Sequence, residues 1–229
     1  MLREFFASPN FLALLRFWDS LRTGATVPDW TGELAAIPAN LRQRLVIVER
    51  REDLIYRYVG ILNQSQFARD PTGATIAETL SPEYVAYLAD LVESVLAGAA
   101  PVFSCSILRR NDLIKRTGRL VAPFTLRRSP APCLIMSAHL EAGDEFKVTE
   151  VVESGGVLET ERVRIAGVPA VCDRLEEVWR YHLLSGMEPD RSLASEWDRI
   201  AASLGAGVIV PLPRFGETCP LRKADQSCG

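Results

Sequence analysis

The sequence predicts an α+β fold built on an antiparallel sheet with flanking helices. Two short runs rich in β-branched and aromatic residues, 45–49 (LVIVE) and 54–62, meet across the polar turn 50–53. Helical patterns follow, and three further strand-like runs (102–110, 113–126 and 133–140) come after them. Strand, strand, helices and three strands is not a βαβ repeat, so the strands are expected to pair antiparallel.

Ser8-Pro9 starts a helix, with a hydroxyl for free N–H groups and a proline suited to the first position. Phe11, Leu14, Leu15, Trp18 and Leu21 then recur at helical spacing, and Gly24 can end the run. This stripe is expected to pack outside the sheet, to form a dimer seam, or simply to join a core. Pro28, Gly32 and Pro38 break residues 25–44 into short pieces. In 54–62, alternation puts Ile55, Arg57 and Val59 on one face and Leu54, Tyr56 and Tyr58 on the other. Gly60 marks a bulge or a close backbone approach.

The loop 63–73 is polar. Asp70 suits a turn that accepts a backbone N–H two residues on, and Gly73 suits a positive φ. A short helical piece, 74–80, precedes a longer helix from Ser81-Pro82, whose apolar face is Val85, Leu88, Val92, Val95 and Leu96 and which Gly98 stops. Gly118 and Pro123 are expected to interrupt the strand 113–126. Residues 146–154 and 157–165 alternate around Gly155-Gly156 as a hairpin. An amphipathic helix from Val171 carries Leu175, Val178, Trp179 and Leu183 and ends at Gly186. A helix over 192–204 and a strand over 208–210 follow. Trp179 precedes Pro189-Asp190 by the interval that separates Trp18 from Pro28-Asp29, so 171–210 is either a partial repeat of the opening or a chance match.

In order and spacing, the helix with Leu14, Leu15 and Trp18, then Pro28, YRYVG (56–60), ARDPTG (68–73), a helix and LVAPFTL (120–126) resembles the PAS family, in a variant found as compact bacterial sensory modules. The resemblance covers residues 10–142. Its strongest signature pairs Arg57, Tyr58, Val59 and Gly60 with Arg69, Asp70 and Gly73; Ala68 stands where that family usually has glycine. It implies a five-stranded antiparallel PAS-like sheet with flanking helices and a pocket between them. Arg57, Gly60, Arg69, Asp70 and Gly73 would be structural motif residues, and Tyr56, Tyr58, Phe67, Tyr84, Phe103 and Phe124 candidates to line the pocket. The chain then divides into a sensor domain, 8–142, a C-terminal extension with a hairpin and helices, 143–215, and a polar, disordered tail, 216–229.

Composition narrows the function. A formal net charge of −3 argues against a general nucleic-acid or membrane-surface binder. Five scattered cysteines without a CxxC pair suit a reducing cytoplasm. The start has no signal-peptide pattern, and no run approaches a membrane span. Neither His139 nor His182 lies in a nucleophile motif, Cys219 and Cys228 have no zinc spacing, and no phosphate loop occurs. No motif supports haem or flavin, so the cofactor stays unassigned. Arg109, Arg110, Lys115, Arg116, Arg119, Arg127 and Arg128 make the hairpins basic, either as a docking surface for an anionic partner or as solvated edges. The expectation is a non-enzymatic, cytoplasmic, homodimeric sensory module that binds a small molecule or a signalling protein such as a histidine kinase. The alternatives are a structural interaction module without a ligand and a small-molecule enzyme using Asp70 and Arg69.

Overall fold

A computed structural model describes residues 8–24, 27–64, 67, 69–110, 113–126, 134–142, 157–185 and 202–217, with the backbone alone at 108–110, 113–116, 134–142 and 181–185. The helices are α1 (Pro9–Ser20), α2 (Ala39–Arg42), α3 (Ile61–Gln64), α4 (Pro82–Gly98) and α5 (Val168–Ser185). The strands are β1 (Asp29–Trp30), β2 (Leu45–Arg50), β3 (Leu54–Val59), β4 (Val102–Arg110), β5 (Leu113–Leu126), β6 (Leu134–Ala142), β7 (Val157–Ile165) and β8 (Ile209–Pro211).

Among the described residues these strands form one sheet in the order β3-β2-β6-β5-β4-β7-β8, with β1 beside β5. Strands β2 to β6 make an antiparallel array of five, with α4 inserted between β3 and β4. The sheet as a whole is mixed rather than antiparallel, which corrects the expectation. β1 runs parallel to β5, with Asp29 opposite Thr125 and Trp30 opposite Leu126. The buried Trp30 draws this short segment onto the sheet, and the Thr125 hydroxyl donates to Asp29. A two-residue strand between chain breakers has no periodicity by which to recognise it. β7 and β8, from the C-terminal extension, continue the same sheet by pairing with β4 and with each other.

Two layers cover the sheet. On one face α1 and α5 pack together: Phe11, Leu14, Leu15 and Trp18 meet Phe103, Leu120 and Phe124 from the strands and Val171, Leu175 and Val178 from α5. The apolar stripe of α1 is thus spent within the chain. The Trp18 indole N–H donates to the Pro123 carbonyl at 2.7 Å, and Arg16 bridges to Asp173 and Glu176 on α5. Cys172 lies in this core, and burial pushes its thiol up to about 12. On the other face α4 lays Tyr87, Leu91, Val92 and Val95 over Val102 and Val121. Leu88 and Leu96, expected on the buried face, pack only partly, because α4 is turned to bring Tyr87 inside.

Several local expectations need adjustment. α1 and α4 begin at Pro9 and Pro82, but the Ser8 and Ser81 hydroxyls make no capping bond. β5 runs unbroken through Gly118 and Pro123; Pro123 lies past Val121, where the pairing with β4 ends. Ala99, rather than Gly98, adopts the left-handed conformation after α4. A Cβ at Gly98 would stand 2.3 Å from the Arg164 guanidinium, so a larger residue there would have to push that long side chain aside. The expected strand 146–154 lies outside the described residues, as do most of the helix 192–204 and the tail beyond Glu217. Among the described residues, no helix is long and apolar enough to cross a membrane.

Candidate functional site

Two β-bulges decide which side chains face α4. On β3, Tyr58 pairs with Ile47 and Tyr56 with Val48, so Arg57 is the extra residue. Tyr56 and Val59 consequently share the α4 face with Val46, while Tyr58 turns to the face covered by α1. The simple alternation expected for 54–62 fails at this point. On β7, Cys105 pairs with Glu161 and Ser106 with Glu159, leaving Thr160 extra. In a regular strand, residues three apart point to opposite faces. The bulge at Thr160 instead brings Glu159 and Arg162 to the same face, under α4, where they join at 2.8 Å.

Around that pair runs a buried polar chain. The Arg119 guanidinium, 1% exposed, donates to the hydroxyls of Tyr84 and Tyr87, the latter at 3.1 Å, and lies over both rings. The Tyr87 and Ser104 oxygens are 2.6 Å apart, and Ser104 Oγ lies 2.5 Å from Glu159 Oε1. Ser104 has one hydroxyl proton, and the acceptor-only carboxylate must receive it. Tyr87 therefore donates to Ser104, and the bonds run in one direction from Arg119 through Tyr87 and Ser104 to Glu159. Each bond polarises the next in such a low-dielectric setting.

Glu159 is the hub. Its oxygens also accept from Arg162 Nε at 2.9 and 3.0 Å, and Oε2 accepts the Phe215 N–H at 2.6 Å. Arg162 continues to Asp90 Oδ2 at 2.7 Å and Ser94 Oγ at 2.8 Å, both on α4. The Phe215 ring meets Tyr87 edge-on at 5.7 Å. The C-terminal segment 212–217 is thereby strapped onto the chain, with Leu212 N–H donating to the Arg162 carbonyl. Burial pushes the Tyr84 phenol up, against the opposing pull of Arg119, so it stays a neutral hydroxyl.

The opposite flank of α4 borders a cleft of about 200 Å³. Val85, Ala89, Val92 and Glu93 form its helical wall; Arg50, Glu52, Asp53 and Leu54 come from the β2–β3 hairpin, and Thr75, Ile76 and Ala77 from the turn before α4. Thr75 and Glu78 close a capping box that shapes this turn, and Arg50 pairs with Glu93 at 2.6 Å across the cleft.

The six aromatic pocket candidates do not converge. Tyr56, Phe67 and Tyr84 lie on the α4 face, where Tyr56 accepts from the Thr79 hydroxyl at 3.2 Å and meets Phe67 edge-on at 5.6 Å. Phe103 and Phe124 lie in the main core on the α1 face, with Tyr58 partly buried against it. None of the six lines the cleft. Among the motif residues, Arg57 pairs with the buried Glu49 at 3.2 Å, and Arg69 and Asp70 are exposed. Asp70 accepts the Thr72 hydroxyl and N–H, which hold its carboxyl below the usual range. Gly73 has φ +92°, and its N–H donates to the Tyr56 carbonyl at 2.8 Å, tying the loop to β3.

Gly60 sits against the backbone of 42–43, where a Cβ would be 2.4 Å from the Gln43 carbonyl oxygen. Gly60→Ala is expected to cost ~1–3 kcal/mol through forced backbone shifts, measured by urea unfolding; an unchanged midpoint would show that the approach is slack.

Ser104, Glu159 and Arg162 were not among the sequence candidates, and Arg119, expected on basic hairpins that serve either as a docking surface or as solvated edges, is buried. The available signal was the alternation FSCS at 103–106, which puts two hydroxyls on one face of a strand and apolar side chains on the other. The side chains of Arg109, Arg110, Lys115, Arg116, His139 and His182 lie outside the described residues, as do Arg127 and Arg128 altogether. Among the described residues, no group of three or more His, Cys, Asp or Glu converges as a metal site. No family model matches the chain, and comparison with curated proteins finds no significant match.

Proposed function

We propose that the chain is a non-enzymatic sensory or regulatory module of the PAS type, in which a small molecule bound beside α4 is read out through the C-terminal strap. One observation carries this reading: α4 has the cleft on one flank and the buried polar chain on the other. Val85, Ala89, Val92 and Glu93 touch the cleft, whereas Tyr84, Tyr87, Asp90 and Ser94 hold the polar chain. A ligand that displaces α4 alters the geometry at Asp90 and Tyr87, and through Glu159 the hold on Phe215. The polar chain is directional and buried, so small shifts at one end change the strength of its bonds at the other. A signalling protein such as a histidine kinase would read the strap or α4. Further support comes from the five antiparallel strands β2 to β6 with flanking helices, which the resemblance implies.

The test is amide exchange at Phe215 in a variant whose cleft is filled, Ala89→Trp. If cleft and strap are coupled, the Phe215 amide exchanges at least about fivefold faster while circular dichroism shows the fold retained. Unchanged exchange at 212–217 in a folded variant would reject the coupling. It would favour the second reading, an interaction module without a ligand, for which the filled space between α4 and β4, β5 and β7 already speaks.

A further inference from the structure

The cleft beside α4 has a floor and a rim of different chemistry. Ile76, 3% exposed, and Val92, 6% exposed, form the floor with Leu54, Val85 and Ala89. The rim carries three carboxylates, Glu52, Asp53 and Glu93, against the single guanidinium of Arg50. Resting on the sensory reading above, we infer that this cleft takes a small organic cation with an apolar body, the body on the floor and the ammonium at the rim.

The size fits such a ligand. A volume of about 200 Å³ holds roughly six water volumes, or an organic molecule of about ten heavy atoms, below the ~300–1,000 Å³ of drug-sized sites. Charge selects within that size class. Arg50 is already engaged by Glu93, and both are substantially exposed, so the pair is weak and a second cation can compete for Glu93. Glu52 and Asp53 are exposed at the hairpin tip beside it. An anionic ligand would face three carboxylates and would have to share the Arg50 guanidinium with Glu93 for its one favourable contact.

Three probes with the same phenyl body separate the contributions: 2-phenylethylammonium, 2-phenylethanol and phenylacetate, titrated into the full chain with amide resonances followed by NMR. The cation is expected to shift Leu54, Ile76 and Ala89 with a Kd of roughly 1 mM, as a nine-atom ligand of modest efficiency allows. The neutral alcohol should bind about fivefold more weakly, and the advantage should shrink in 1 M salt. Glu52→Gln combined with Asp53→Asn, both at the exposed tip, should lower the cation toward the alcohol's affinity and leave the alcohol unchanged. Equal binding of all three probes, or preference for phenylacetate, overturns the cation assignment and leaves the cleft as a ligand site. No perturbation of the lining residues by any probe overturns the assignment as well, and if Ala89→Trp also leaves the strap unaltered, the sensory reading falls with it.

Discussion

Phe103→Ala is expected to lower the unfolding free energy by ~3–5 kcal/mol, the range for deleting a buried ring and leaving a cavity. The ring is wholly buried on β4 and meets Phe11 of α1 edge-on at 5.7 Å. It lies on the sheet face opposite to α4, within the cluster that holds α1 and α5 to the strands. Guanidinium unfolding monitored by tryptophan fluorescence measures the change, as a lower midpoint at constant slope. A loss under ~1 kcal/mol would mean that the ring borders adaptable space, and would return Phe103 to the ligand-pocket candidates.

The ends of β4 and β5 were legible to the residue because turn residues bound them, whereas the interruptions expected at Gly118 and Pro123 do not occur. α1 and α4 were legible from Pro9 and Pro82 and from apolar stripes at helical spacing. The side of the sheet on which each aromatic lies was not. Tyr56 and Tyr58 occupy equivalent positions in an alternating strand, yet the bulge at Arg57 sends them to opposite faces. Phe103 reads equally well as core or as pocket, and its place depends on whether α1 and α5 or α4 cover that face. No local pattern holds that information.

The polar chain was hidden for a related reason. Arg119 stands among basic residues that read as hairpin edges, and only the pairing of β5 between β4 and β6 shows it to be central. Glu159 and Arg162 are three residues apart in a strand, a spacing that places them back to back unless a bulge intervenes. A lone Thr160 between Glu159 and Glu161 gives no sign of one. The Gly60 approach was legible because only glycine at a strand end invites it, and Gly73 likewise through its positive φ.

Glu159→Gln is expected to destabilise the protein by ~3–5 kcal/mol, because it leaves the buried Arg162 guanidinium without its closest counter-charge. Arg162 would keep Asp90, whose side chain is about half exposed, as its charged partner and Ser94 as a neutral acceptor, while Ser104 would lose a charged acceptor and the Phe215 N–H a short bond. Urea unfolding gives the magnitude, and exchange at the Phe215 amide shows whether the strap is released with it. A second substitution separates the pair from the site: Glu159→Leu with Arg162→Met should regain much of the loss, since well-packed apolar groups avoid the desolvation that a lone ion cannot. If the Phe215 amide remains fast in the recovered double variant, the strap is held by the Glu159 carboxylate and not by general stability, as a readout through this residue requires. A single variant with wild-type stability and a protected Phe215 amide would mean that the carboxylate holds neither Arg162 nor the strap, and the path from α4 to the C-terminal segment would be lost.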